Sequence, residues 1–261
     1  ALAANEAQPA YVWRSDGTDF FEVEPLSGAD AAAFQGTRIV IHLRQDAAEF
    51  ADEKRVRDVL ERYSNFVSFP MKLGGERINT MEAVWMLEPS KVDAKTYEDF
   101  FKFTTNSFDP PMFTLHYRTD APLDIKALLF VPKLNPEMPG MPRSQPGVSI
   151  YARKVLLSKN PDFLLPAWAR FVKGAVDSED VQLSISRETA QDKRVVAKLA
   201  TAVTKRFIRF LREKATADPA AYNEFFNVFG HYIKEGVCTD YANQPDLAKL
   251  LRFDTSERDA A

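Results

Sequence analysis

Cysteine is nearly missing from this chain: Cys238 stands alone among 261 residues, so no disulfide can form within it. Histidine is almost as scarce, and His42, His116 and His231 lie far apart with no cysteine nearby, which argues against a structural zinc site. No apolar run approaches the roughly 20 residues needed to cross a bilayer, and no basic segment leads into an apolar one as in a signal peptide. Neither charge sign dominates; a net charge of −3 and an isoelectric point near 5.8 argue against a dedicated nucleic-acid binder, while leaving room for a local basic face. Also missing are a GxxxxGK[ST] phosphate loop, a GxSxG elbow and a histidine spaced with carboxylates for hydrolysis, so no complete independent active site is legible. Repeats and low-complexity stretches are missing too. What is present, 45% hydrophobic and 27% charged residues in 29.5 kDa, suffices for a substantial core in more than one lobe. The start at Ala1-Leu2-Ala3, without methionine, reads as an excised fragment whose targeting signal lies elsewhere.

The patterning is mixed. Tyr11 to Val23 reads as a hairpin about Ser15-Asp16-Gly17, and Thr37 to Leu43 alternates like a strand. A hinge-like helix is expected from Asp46, with Glu49 completing an acidic capping box, to about Tyr63. Strand patterns follow at Val67–Leu73, Met112–Tyr117, Leu123–Val131 and Val148–Leu157, around a helix at Ala94–Asn106. Pro132, Pro136, Pro139, Pro142 and Pro146 predict an exposed loop, because each lacks a backbone donor and resists helical continuation. From Arg187 onward the period becomes helical. Val196, Leu199, Val203, Phe207, Phe210 and Leu211 share one face, opposite Arg194, Lys198, Lys205, Arg209 and Arg212. A second helix carries Tyr222, Phe225, Phe226, Phe229 and Ile233 and stops near Gly236; a third spans about Pro245 to Phe253.

The most informative feature is Arg187, placed where that long helix begins. Unpaired N–H groups and the positive end of the helix dipole disfavour a cation there, so two positive features pointing one way make an anion site, and a guanidinium fork suits phosphate. Pairing of Arg187 with Glu188 or Asp180 on the surface explains the position equally well. Val181, Leu183 and Ile185 alternate with polar residues and would hold Arg187 in one direction, while Gln191 lies one helical turn on and could brace the loop. The basic face from Arg194 to Arg212, without interleaved aromatics, reads as a solvated helix surface. Trp85 and Met86 read first as core and second as an adaptable apolar surface for a client protein.

Taken together, Phe171-Val172-Lys173-Gly174-Ala175-Val176-Asp177-Ser178-Glu179-Asp180 with Ser184-Ile185-Ser186-Arg187-Glu188 resembles the middle-domain signature of the heat-shock protein 90 chaperones. Tyr63 to Pro70, Ala127 to Pro132, Tyr151 to Val155 and Leu247 to Phe253 carry the same resemblance in the same order. The Ser64–Pro70 wording, the Trp13–Gly17 turn and the lack of a long charged linker before the middle domain are most similar to the mitochondrial, TNF-receptor-associated branch, with the bacterial branch as competitor.

The resemblance implies an α/β (α+β) fold. A layered α-β-α middle domain of ribosomal S5 domain 2-like type would be followed by a helical connector and a small α/β lobe. It divides the chain into the last strands of an ATP-binding domain (1–45), the large part of the middle domain (46–158), and the catalytic loop, connector and small part (159–261). It makes Gly36 and Thr37 adenine-pocket residues, sends Arg187 to the γ-phosphate and gives Gln191 the steadying of its loop. ATP and Mg2+ belong to the full-length protein; this segment, without the water-orienting glutamate, should not hydrolyse ATP or hold it tightly. The partners implied are unfolded clients, the ATPase domain of the same chain and a second copy in a homodimer, with neither nucleic acid nor membrane insertion. The implied address is the mitochondrial matrix or, alternatively, the bacterial cytoplasm. Ser184, Ile185, Thr189 and Ala190 depart from the family pattern at packing positions of the loop.

Overall fold

The structure, a computed structural model, describes residues 11–17, 19–26, 36–79, 81–137, 142–181 and 190–253. The chain forms two compact units, 1–48 and 49–261.

In the first unit the predicted hairpin is present, with β1 (Tyr11–Arg14) antiparallel to β2 (Glu22–Pro25) and Trp13 opposite Val23. Its turn follows from local chemistry: the Ser15 hydroxyl donates to the Phe20 carbonyl and accepts from the Gly17 N–H, while Gly17 takes a φ of +88° that L side chains resist. Thr37–Leu43 does not become a strand. It pairs with no strand among the described residues, and Ile39, Val40 and Ile41 are exposed; alternation supplies faces for a strand but cannot supply its hydrogen-bonding neighbour.

The expected helix at Asp46 is also corrected. Gln45–Ala51 is a 3-10 turn, and α1 (Glu53–Ser64) starts at Asp52, whose carboxylate accepts the Lys54 N–H at 3.1 Å. The strand expected over Val67–Leu73 shrinks to the small pair β3 (Lys72–Leu73) and β4 (Glu76–Arg77). The Asn79 side chain takes up the freed backbone groups, donating to the Val67 and Phe69 carbonyls and accepting the Met71 N–H. The helix α2 (Ala94–Thr105) matches its prediction because both ends are capped: Asp93 accepts the Thr96 N–H, and Asn106 turns left-handed at φ 52°.

The centre of the second unit is a five-stranded mixed sheet, ordered β5 (Phe113–Thr119), β6 (Ile125–Val131), β9 (Lys173–Asp177), β7 (Gly147–Ala152), β8 (Val155–Ser158). β9 lies between two antiparallel hairpins, antiparallel to β6 and parallel to β7. The single strand expected over Val148–Leu157 is a hairpin, since Arg153 and Lys154 both adopt positive φ (49° and 69°). β6 is buried along its whole length and alternates between two cores. Ala127, Leu129 and Val131 face one side; Leu128 and Phe130 face the other, with Phe66, Trp85, Phe100 and Phe101.

The first of those cores is closed by α3 (Ala190–Ala217) and α4 (Pro219–Thr239), giving a layered α-β-α architecture. The predicted faces hold. Leu199, Val203, Phe207, Phe210 and Leu211 are buried, while Arg194, Lys198, Lys205, Arg209 and Arg212 are exposed. α4 starts at an Asp218 cap followed by Pro219, but runs through Gly236 to Thr239. Gly236 is there for packing: a Cβ would stand 2.9 Å from Trp168 Cγ and 3.0 Å from Leu247 Cδ1. The third helix is short, α5 (Gln244–Ala248).

The proline-rich segment is not simply an exposed loop. Glu137, near its start, accepts two hydrogen bonds from the buried Arg170 guanidinium at 2.7 and 3.1 Å, plus the Ser144 N–H and hydroxyl. Arg170 also donates to Glu235 of α4 at 2.8 Å and lies over the Tyr232 ring, so the loop is fastened to the helical layer.

Candidate functional site

The residue that the sequence singles out, Arg187, lies outside the described residues, as does the rest of its motif from Gln182 to Thr189; Gln191 is placed only as backbone within α3. The structure therefore defines the loop by its stem. β9 ends at Asp177, which is fully buried and accepts three hydrogen bonds. Its Oδ1 takes the Arg153 N–H at 2.9 Å; its Oδ2 takes the Lys154 N–H at 2.8 Å and the Trp85 indole N–H at 3.1 Å. One carboxylate thus joins the strand end, the β7–β8 turn and the core on the α2 side.

The next residues reach both hairpins. The Ser178 N–H donates to the Tyr151 carbonyl. Glu179 accepts from Arg153 Nε at 3.2 Å and from Lys126 Nζ at 3.4 Å, and Asp180 accepts the Asp124 N–H at 2.7 Å. Burial works against the Lys126 ammonium, but hydrogen bonds and charge from Asp124 and Glu179 outweigh it and hold its pKa above the ordinary lysine value. The chain leaves the sheet from a clamped point, with the turns of β5–β6 and β7–β8 as the jaws.

The remaining candidates separate. Trp85 is fully buried, edge-on to Phe66 and Phe100, so the core reading stands and its indole offers no surface to a client; Met86 is partly buried beside it. The aromatic neighbours and the Asp177 acceptor together satisfy both the apolar ring and its one polar atom. His116 completes this side: it accepts from the Tyr97 hydroxyl through Nδ1 at 2.8 Å and donates Nε2–H to the Trp85 carbonyl at 3.3 Å, as the neutral tautomer requires. Gly36 and Thr37 are exposed, and among the described residues nothing beyond the chain neighbours of Gly36 lies within 4 Å of where its Cβ would be. Among the described residues no group of three or more His, Cys, Asp or Glu could hold a metal, and no helix is long and apolar enough to cross a membrane.

Residues 74–261 match the family model described as Hsp90 protein. The chain belongs to the Hsp90 family. Its relatives include the Chaperone protein HtpG of Desulfotalea psychrophila, 46% identical over 97% of this chain and 40% of that protein. The mitochondrial Heat shock protein 75 kDa of Bos taurus is 43% identical over 94% of this chain and 35% of its own length. The mitochondrial TNF receptor-associated protein 1 homolog of Dictyostelium discoideum is 36% identical over 99% and 36% respectively. The chain thus spans two fifths or less of these Hsp90 relatives, and bacterial and mitochondrial members match it side by side.

Sequence reasoning named Asp177 and Glu179 only as letters of a signature, and Asp180 beyond that only as a surface partner for Arg187. Lys126 was the signal it passed over: a lysine inside the otherwise apolar run Ile125–Val131 has to find carboxylates, and the nearest in space come from Asp124 and the loop stem.

Proposed function

We propose that this chain is the middle segment of an ATP-driven folding chaperone, and that Arg187 meets the γ-phosphate of a nucleotide held by another domain of the same longer protein. The single observation that supports this most is the clamped stem: Asp177, Glu179 and Asp180 fasten the chain to both neighbouring hairpins just before Arg187. A catalytic arginine is useful only if its placement costs little at the moment of reaction, and a stem held on two sides shortens the free tether. A guanidinium brought to the transferred phosphoryl stabilises the charge that develops there. Gln191, in the first turn of α3, is assigned to steadying the loop from its far end. The same reading brings Mg2+ with the nucleotide, unfolded clients as cargo and a homodimer of the full protein. Mitochondrial matrix and bacterial cytoplasm stand as its alternative addresses.

The test is Arg187→Ala in a full-length chain carrying this segment. ATP turnover should fall on the order of 10²-fold while the nucleotide Kd stays within about twofold, since the arginine acts on the transition state rather than on ground-state binding. Unchanged turnover would refute the assignment.

A further inference from the structure

A second polar site lies on the α2 side of the sheet, away from the stem. The C-terminal turns of α1 and α2 and the strands β7 and β9 enclose a cleft of about 470 Å³, a size suited to a small organic molecule. Lys173 projects into it from β9. Its ammonium has no hydrogen-bond or ion-pair partner among the described residues, although the side chain is partly removed from water. The space it occupies depends on Gly147, its register partner on β7: a Cβ there would stand 2.1 Å from Lys173 Cδ and 2.7 Å from Nζ.

An amine in this position lacks compensation. Burial pushes the Lys173 pKa below the ordinary lysine value with nothing opposing it, whereas Lys126, on the same sheet, has two carboxylates. The lining adds Arg62 and Lys159 against one carboxylate, Glu61. The two helix C-termini subtract about half a charge each, and with Glu61 they still leave three cations a positive balance in a chain whose net charge is −3. The Asn106 and Asn160 amides add polar groups, and the half-exposed Phe103 ring with Phe66 and Phe100 gives an apolar wall.

We propose that this cleft binds a small ring-bearing anion, a phosphate monoester or a carboxylate, with the charged group on Lys173 and the ring against the phenylalanines. Phosphate and carboxylate share the needed chemistry, a multidentate anion that the ammonium and the rim cations can meet together. The ring supplies the apolar burial that an inorganic ion lacks.

The experiment titrates the 261-residue chain with phenyl phosphate, benzoate, inorganic phosphate and phenol, followed by calorimetry or amide NMR shifts. Phenyl phosphate or benzoate should bind saturably at one site, at least about fivefold tighter than inorganic phosphate or phenol, because only they carry both ring and charge. Lys173→Met should weaken that binding about tenfold or more, and Lys173→Arg by only a few-fold, since the cation is kept. No saturable binding of either aromatic anion, equal binding by phenol or inorganic phosphate, or an unchanged affinity in Lys173→Met would each overturn the proposal. A measurement on the unaltered chain guards against a folding defect in the variants. The bound anion should slow trinitrobenzenesulfonate labelling of Lys173 about fivefold or more and leave the exposed Lys205 unaffected. Labelling of Lys173 at the same rate would overturn it as well.

Discussion

Single side chains decide how firmly the Arg187 loop is rooted, and Asp177 is the principal one. Its two oxygens take three donors, from Trp85, Arg153 and Lys154, in a fully buried place. Asp177→Asn turns one acceptor oxygen into an amide NH₂ that faces N–H groups, leaving buried donors unmatched. A loss of about 3 kcal/mol is expected, or roughly 6–12 °C in Tm for a chain of this size, measured by thermal unfolding. A change of less than about 2 °C would show that the hub is dispensable. None of this could be read from Asp177 alone. The residue stands in an acidic run, Asp177-Ser178-Glu179-Asp180, that looks solvated in sequence; the fold buries the first carboxylate and leaves the last two exposed.

Elements are legible in the sequence, or not, according to where their stabilisation comes from. α2, α3 and α4 can be read because a helix satisfies its own backbone and shows its apolar stripe at a fixed spacing. Thr37–Leu43 and Val67–Leu73 mislead because a strand needs a partner that periodicity cannot name. β9 hides for a related reason, since a glycine at its second position weakens any strand pattern. In fact Gly174 permits close pairing: at φ +138° a Cβ would stand 2.1 Å from the Leu128 carbonyl oxygen. Gly236 carries the same lesson in a helix. Gly236→Ala adds about 1 kcal/mol of helix propensity but forces a methyl against Trp168 and Leu247, a crowding cost of about 1–3 kcal/mol. A net loss of stability is therefore expected, seen as a lower denaturation midpoint; a stabilised variant would show that Trp168 can move aside.

For the molecule as a whole, acid should act in two steps. Burial holds the His116 pKa below its ordinary 6.5, and as the neutral tautomer it serves Tyr97 and Trp85. A depressed folded pKa means the unfolded chain binds the proton first, so this contribution is complete above pH 6.5 and declines as pH falls below it. The Glu137 carboxyl is held at about 2, chiefly by the Arg170 hydrogen bonds; its contribution is complete above the unfolded 4.5 and is lost as pH falls toward 2. Tm measured from about pH 8 to about pH 2 should fall gently below 6.5 and more steeply below 4.5. In His116→Gln the first fall should become shallower, with His231, also held low by burial, keeping the remainder, and in Glu137→Gln the second should flatten; an identical profile in either variant would reject that residue's part. Removing Arg170 is expected to cost about 3–5 kcal/mol at neutral pH, because Glu137 and Glu235 would lose the buried cation they share, leaving Glu137 with the Ser144 hydrogen bonds and Glu235 with the exposed Arg143.

Family membership, the layered mixture of helices and strands, and the buried and exposed faces of the long helices all follow from the order of residues along the chain. These are written locally, as signature runs and as spacing of 3.6 or 2. The folded arrangement was needed to show that Trp85 is core, that the proline-rich segment is tied down by Arg170, that the stem of the Arg187 loop is clamped by two hairpins, and that Lys173 has no ion-pair partner among the described residues. Each of those depends on a partner far away along the chain, and the energy of a buried charge or polar atom is set by what stands beside it in space, which spacing along the chain does not encode.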